Sequence, residues 1–197
     1  MPKASDRKQR ILEALTHMLE TQPGSRITTA KLAVEVGVSE AALYRHFPSK
    51  AKMYEGLIDF IEESIFSRVT RILAEEKQTT RRCEVLMTML LAFAERNPGL
   101  CRILTGEALS GETDYLRVRV FKFFDRIEVQ LKQILRESDV RKDIRVVVDM
   151  GVAANLILSV ADGKIAQYVR SDFRSKPTLG WDQQWDSLKY GLFEAVA

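Results

Sequence analysis

The sequence contains little cysteine and little histidine, the residues most often used as metal ligands and in nucleophilic catalysis. Only two cysteines and two histidines occur among its 197 residues. Cys83 and Cys101 lie inside apolar helical patterns, without a histidine or cysteine at metal-ligand spacing. We therefore expect buried free thiols in a reducing compartment, and the sequence indicates no metal site and no cofactor.

Long hydrophobic runs are also missing. The longest weakly polar run, Met150 to Ala161, is interrupted by Asn155 and is too short to cross a bilayer. The amino terminus begins with charged residues and not with the apolar core of a secretory signal. We expect no membrane insertion and a soluble, cytoplasmic protein.

Residue patterns that would indicate an enzyme are absent. His17 falls on a polar helix face and His46 in a basic segment, and neither has a serine, cysteine or carboxylate in a catalytic arrangement nearby. No Gly-rich phosphate loop is found. The sequence predicts that the chain is not an enzyme; a helical hydrolase or transferase is the alternative from that class.

Apolar residues recur at helical spacing along nearly the whole chain, and strand alternation is absent. This pattern predicts an all-α protein. The predicted helices lie near residues 5–21, 28–36, 39–46, 49–75, 80–96, 100–109, 113–137, 143–171 and 181–196. The β-branched residues from Ile144 to Val148 favour a strand locally, but the length of the surrounding pattern predicts a helix there.

Positive charge is concentrated near the amino terminus. Residues 1–52 contain nine lysines and arginines against five acidic residues, whereas the remainder has 21 against 22. A basic head attached to a neutral body is typical of anion binding. We divide the chain here into a head, residues 1–52, and a helical body, residues 53–197.

The segment from Ile27 to Lys50 predicts two short amphipathic helices joined by a Gly-Val-Ser turn. Thr28 and Ser39 are placed to cap these helices, and Gly37 suits the left-handed residue that ends the first one. Because helices this short bury little surface, they must pack on each other and on the first helix of the chain. The result is a three-helix head with a helix-turn-helix, which is typical of DNA binding.

The outer face of the second short helix, with the start of the next, carries groups that hold a DNA duplex. These residues are Ser39, Ala41, Ala42, Tyr44, Arg45, His46 and Lys50. The two alanines cannot form the bidentate bonds that distinguish guanine from adenine, which leaves Arg45 and Arg26 as polar readers. We expect backbone contacts and DNA shape to supply much of the affinity, and binding to weaken steeply with salt.

The letters ITTAKLAVEVGVS followed by LYRHFPSK resemble the amino-terminal domain of TetR-type regulators. The resemblance assigns phosphate contacts to Tyr44, His46 and Lys50. It assigns base-facing positions to Ser39, Ala41 and Ala42. It makes Thr28 and Thr29 anchors of the front helix. Core packing is the expected role of Phe47 and the alternative role for Tyr44, and capping alone is the alternative for Thr28.

The resemblance also implies a homodimer, formed as a four-helix bundle by the last two helices of each body. The late helices are rich in small and large apolar residues that allow close approach. They include Gly151, Ala153, Ala154, Ile157, Leu158, Gly163, Ile165, Ala166, Trp181, Trp185, Leu188 and Leu192. A purely intramolecular core is the alternative.

Four further stretches, SEAALYRHFPSK, FIEESI, LAFAERNPGLCRILTGEAL and VRSDF, resemble the nucleoid occlusion factors of the TetR class. Such proteins bind palindromic sites in double-stranded chromosomal DNA as homodimers, one or more per site, and are associated with the nucleoid. Bound to DNA, they antagonise assembly of FtsZ through its carboxy-terminal tail and block septation over the nucleoid. The resemblance places the tail groove at Phe60, Arg68, Arg96 and Asn97.

The residues alone leave other roles open for this groove. Phe60 suits the core, Arg68 and Arg96 suit solvent, and Asn97 before Pro98 suits a helix stop. An apolar slot rimmed by two guanidinium groups would nevertheless fit a peptide with acidic and aliphatic residues. For the whole chain, the alternatives are a ligand-responsive TetR-type transcriptional repressor and a helical scaffold that never contacts DNA.

Overall fold

The computed structural model describes residues 4–22, 25 and 27–196, and most of these residues are helical. The helices are α1 (Ala4–Thr21), α2 (Thr29–Val36), α3 (Glu40–His46), α4 (Lys50–Glu75), α5 (Thr79–Arg96), α6 (Pro98–Leu104), α7 (Asp114–Arg141), α8 (Met150–Arg170) and α9 (Trp181–Leu192). A 3-10 turn covers Glu107–Leu109, and two short strands are β1 (Arg145–Val146) and β2 (Phe193–Glu194). The predicted all-helical class is confirmed.

The chain forms two compact units. The first contains Met1–Glu63 and Asn97–Val120, and the second contains Ser64–Arg96 and Phe121–Ala197. Helix α4 contributes residues to both. Among the described residues, no helix combines the length and apolar character needed to cross a bilayer.

In the first unit, α1 packs against α2, α3 and α6. Its apolar stripe, with Ile11 and Leu15, is buried together with Leu32 and Leu43 of the two short helices. Gly99 allows the backbones of α6 and α1 to approach closely, because a Cβ atom there would lie 2.3 Å from the carbonyl oxygen of Thr16.

Buried Arg102 fixes the end of α1. Its guanidinium donates to the carbonyl oxygens of Leu19 at 2.7 Å and Gln22 at 3.1 Å. The same group pairs with Glu107 at 2.9 Å. These bonds satisfy carbonyls that a helix end leaves without partners, so α1 is held in place at its carboxyl end.

In the second unit, α5 packs on α8 and α9. The indole N–H of Trp181 donates to Thr88 at 2.9 Å across this interface. Cys83 is buried in this unit, and Cys101 is buried in the first. The prediction of buried free thiols is confirmed.

The predicted helix over 143–171 is wrong at its start. Lys142 adopts a left-handed conformation with φ of 54°, which ends α7. Val146 then pairs with Phe193 in an antiparallel ladder, and Asp149 caps α8 by accepting from Gly151 at 2.8 Å. For the same reason α9 ends at Leu192 and does not reach residue 196.

Many of the late-helix residues predicted to meet a second copy are buried within their own chain, which favours the intramolecular alternative for them. They are Ala153, Ala154, Ile157, Leu158, Ile165, Trp181, Trp185 and Leu192. The apolar residues of α8 that remain exposed are Val152, at 58% exposure, and Leu156, at 42%.

Candidate nucleic-acid interface

The corner between α2 and α3 has the three predicted capping features. Thr28 accepts a hydrogen bond from the backbone N–H of Lys31 at 3.2 Å, and Ser39 accepts one from Ala42 at 3.2 Å. Gly37 is left-handed, with φ of 74°, and its N–H bonds to carbonyl oxygens at the end of α2. Since each helix has its own start and stop, the sharp corner of a helix-turn-helix follows.

A chain of hydroxyl groups connects the start of α2 to α3. Tyr44 donates to the Thr29 hydroxyl at 3.3 Å, and Thr29 donates to a Glu40 carboxylate oxygen at 2.7 Å. The Tyr44 side chain is nevertheless 43% exposed, which excludes a core role. The structure therefore brings Thr29 and Tyr44 together at the surface. Glu40, which was not among the predicted DNA-contact residues, is part of this network.

The predicted base-facing residues differ in exposure. Ala41 and Arg45 are exposed, whereas Ala42 and His46 are half-buried. The Ser39 hydroxyl is used as the α3 cap. Arg26, the other predicted polar reader, lies outside the described residues. Of the predicted readers, Ala41 and Arg45 are thus the most accessible on α3.

A small cleft beside α3 contains two arginines that the sequence analysis missed. Arg7 and Arg10 of α1 line a cavity of about 150 Å³ together with Ala42 and His46. The neighbouring Lys8 places its ammonium 5.7 Å from the centre of the buried Phe47 ring. The available signal was three basic residues within four positions of α1. They add positive charge to the face that carries His46.

Lys50 has a protein partner that its position in the sequence did not indicate. Its ammonium forms a 2.6 Å salt bridge with Glu112 and lies 5.5 Å from the centre of the Tyr54 ring. These residues line a cavity of about 370 Å³ in the first unit. Burial, assisted by the Glu112 carboxylate, raises the pKa of Tyr54 to about 12. A phosphate that bound Lys50 would compete with Glu112 for the same ammonium.

The four residues predicted for the tail groove fall in both units. Phe60 and Asn97 line one cavity of about 380 Å³ in the first unit, and Phe60 is 44% exposed and not a core residue. Arg68 and Arg96 belong to the second unit, where each donates to a carbonyl one turn earlier in its own helix. The structure thus brings Phe60 and Asn97 together in the first unit, whereas Arg68 and Arg96 belong to the second.

Metal chemistry has no visible basis in the part of the chain that the structure describes. No group of three or more histidine, cysteine or acidic side chains is arranged there to hold an ion. What the geometry offers is a capped helix pair surrounded by exposed hydroxyl and guanidinium groups and one half-buried imidazole. Such groups bind anions and position a duplex.

Two family models match the chain in succession. Residues 11–57 match the bacterial regulatory proteins of the tetR family, and residues 77–192 match the SlmA-like, tetracyclin repressor-like carboxy-terminal domain. The chain is 55% identical over 190 residues to a nucleoid occlusion factor SlmA of Marinomonas sp. (strain MWYL1), covering 96% of both chains. It is 57% identical to the SlmA of Shewanella sediminis, again over 96% of both.

Solved structures agree on the fold. A TetR transcription regulator from Haloarcula marismortui superposes with a TM-score of 0.80 at 18% identity, covering 96% of this chain and 100% of that one. One from Chloroflexus aurantiacus gives 0.79 at 22% identity, covering 99% and 100%. The chain therefore belongs to the TetR family and, within it, to the SlmA nucleoid occlusion factors.

Proposed function

We propose that this chain is a DNA-binding nucleoid occlusion factor and not an enzyme. As a homodimer, it binds palindromic chromosomal sites, with one or more dimers per site. When bound, it antagonises FtsZ assembly through the FtsZ carboxy-terminal tail, so that no septum forms over the nucleoid. The observation that carries this proposal is 55–57% identity, over 96% of the chain, to relatives named nucleoid occlusion factor SlmA. Its place of action is the nucleoid in the cytoplasm.

The DNA half of the proposal is supported by the α2–α3 corner. Head residues 1–52 would read the duplex, and body residues 53–197 would dimerise and bind the partner. Tyr44, His46 and Lys50 would hold phosphates while Thr28 and Thr29 anchor α2. Ser39, Ala41, Ala42 and Arg45 would face the groove. Because alanine methyl groups discriminate weakly, sequence preference would depend strongly on DNA shape.

Dimerisation requires an apolar surface that the chain does not cover by itself. Val152 and Leu156 lie one turn apart on α8 and are both exposed. Gly163 lies farther along α8 and is half-buried, and a Cβ atom there would meet nothing within 4 Å. Pairing of α8 with its counterpart in a second copy would bury this stripe.

The FtsZ half of the proposal is supported by the exposure of Phe60 beside Asn97. An aliphatic side chain of the tail would pack on Phe60, and Arg68 and Arg96 would bind acidic groups of the tail. Each guanidinium carries five donors, so a single bond to a helix carbonyl leaves it able to bind a carboxylate.

The test begins with selection of bound duplexes from a random pool by the full-length protein. The selected duplex is then added with the protein to FtsZ polymers, and assembly is followed by light scattering and sedimentation. We expect polymer loss that requires both protein and selected duplex. A selected duplex with no effect on FtsZ would contradict nucleoid occlusion, and failure to select any duplex would support the scaffold alternative.

The DNA contacts are tested by affinity at increasing salt and by substitution. For about four neutralised phosphates, affinity falls by roughly a hundredfold between 50 and 200 mM salt. Tyr44→Phe removes one hydroxyl and should weaken binding by about tenfold, as expected for one lost hydrogen bond. The matched control is Tyr115→Phe, because Tyr115 is also exposed but lies on α7. Affinity indifferent to salt would contradict the proposed contacts.

The ligand-responsive repressor shares this fold and remains the alternative. A FadR regulator from Bacillus subtilis in complex with stearoyl-CoA superposes with a TM-score of 0.74, but at 17% identity this similarity concerns the fold alone. Chromosome-wide binding distinguishes the two functions. Many dispersed sites support nucleoid occlusion, and occupancy of one or a few promoters supports the repressor.

A further inference from the structure

Charged residues of helix α1 line two different cavities, with the positive side chains at one and the negative side chains at the other. Arg7 and Arg10 line the cleft beside α3, with His46. Glu13 and Glu20 line the cavity that contains Phe60. Positive charge therefore lies beside the proposed DNA-facing helix, and negative charge lies beside the proposed partner site. A surface that only had to stay solvated would not require this separation.

The Phe60 cavity has an apolar floor and an acidic wall. Its floor includes Leu57, Phe60 and Leu100, and its α1 wall includes Glu13, His17 and Glu20. Among the described residues that line it, only the two glutamates carry a full formal charge. Leu57 and Leu100 are buried, whereas both glutamates and His17 are exposed.

The spacing of the wall residues sets the size of an occupant. Glu13 and Glu20 are seven residues apart, so they lie on the same face of α1 about 10 Å from each other. An extended peptide advances about 3.3 Å per residue, so about three residues span that distance. The Gln9 amide donates to Glu13 at 3.0 Å, which leaves the second carboxylate oxygen able to accept from a partner.

We propose that α1 forms an acidic wall of the partner site and selects a basic residue of the bound segment. The occupant is the FtsZ carboxy-terminal tail, so this inference rests on the proposed function. An apolar side chain of the tail packs on Phe60, and a lysine or arginine of the tail pairs with Glu13 or Glu20. The α1 wall thus reads the opposite charge from the one assigned to Arg68 and Arg96. It also places the partner on a helix that packs directly against α2 and α3.

The test measures binding of a fluorescently labelled synthetic FtsZ tail peptide to the full-length protein by polarisation, in the presence of the selected duplex, because the proposed action on FtsZ requires bound DNA. We expect the double variant Glu13→Gln, Glu20→Gln to bind the peptide about fivefold to tenfold more weakly, as for loss of a partly exposed ion pair. Its residual binding should also be less sensitive to salt. The matched control is Glu35→Gln on α2, which removes an exposed carboxylate outside this cavity and should leave peptide affinity unchanged.

Peptides in which each lysine or arginine is replaced by glutamine identify the pairing residue. One replacement should weaken binding to the wild type and have little further effect on the double variant, as required by a double-mutant cycle. Circular dichroism and duplex binding verify that the variants are folded.

The outcomes separate this inference from the proposed function. If the wild type does not bind the peptide at all, both fail together. If Phe60→Ala abolishes binding while the double glutamine variant binds like the wild type, the acidic wall is wrong and the partner assignment stands. Additive losses in the double-mutant cycle would also overturn the wall.

Discussion

The α2–α3 corner and the segment between α7 and α8 are both short connections between helices, but different forces hold them. In the corner, each cap acts within three residues of its own helix, as Ser39 does for Ala42. In the second segment, the partners are distant in sequence. Asp143 accepts from the backbone N–H of Thr79 at 2.6 Å and from its hydroxyl at 2.9 Å, which caps α5 from 64 residues away. Connections of the first kind are readable from local sequence, and those of the second kind are not.

Cysteine labelling compares the two units as wholes and has the largest expected effect. Burial raises the pKa of both Cys101, in the first unit, and Cys83, in the second, to about 12. Because the thiolate is the nucleophile, native protein should react with an aromatic disulfide reagent about a thousandfold more slowly than denatured protein. Single Cys→Ala variants report each unit separately, and faster labelling of one thiol identifies the unit that opens first. Rapid labelling of the native protein would contradict the burial of both.

Removal of the long-range cap is expected to have the next largest effect. Asp143→Ala leaves the start of α5 without two hydrogen bonds and should lower the free energy of unfolding by about 2 kcal/mol. Urea denaturation followed by circular dichroism measures the change. Asp139→Ala on the exposed side of α7 is the matched control and should change stability by less than about 0.5 kcal/mol. Equal effects would mean that the distant cap contributes nothing.

Gly37→Ala tests the left-handed residue that ends α2. A Cβ atom at this position would meet nothing within 4 Å, so the cost is backbone strain alone, about 1.5 kcal/mol. Gly37→Asn is the control, because asparagine tolerates the left-handed region and should cost less. Thermal unfolding measures both variants, and an alanine variant as stable as the wild type would argue against this conformation.

Ser39→Ala tests the local cap and is expected to have the smallest effect, about 1 kcal/mol. Ser39→Asp keeps an acceptor at the cap and should retain stability. The added charge should nevertheless weaken duplex binding if this residue approaches DNA phosphates. Unchanged duplex affinity in the aspartate variant would limit Ser39 to a capping role.

The sequence predicted the corner well because its signals are contained within a few residues. The bounds of α2 and α3 lie within one residue of those expected, and the roles of Thr28 and Gly37 as cap and terminator are confirmed. Burial of Phe47 was also predicted correctly. Patterns of this kind depend on local backbone geometry, which neighbouring residues specify.

The candidate site was predicted less completely because several of its contacts join distant parts of the chain. Glu112 lies 62 residues beyond Lys50, so nothing near Lys50 indicated the salt bridge. The cavity that contains Phe60 is formed partly by α1. In the sequence, the charged residues of α1 are typical of a solvent-exposed helix face. The predicted helix at Ile144 failed for the same reason, since its strand forms only when Phe193 is brought beside it.

The sequence by itself determined the helical class, the corner with its caps, the separation of basic charge into the head, and membership of the SlmA family. Helical periodicity and capping act over three or four residues, so the local sequence specifies them. Only the tertiary structure decided which apolar residues of α8 stay exposed, which carboxylates meet Lys50 and Thr79, and which face of α1 borders Phe60. Those outcomes depend on surfaces that come together only when packing excludes water between elements far apart in the chain.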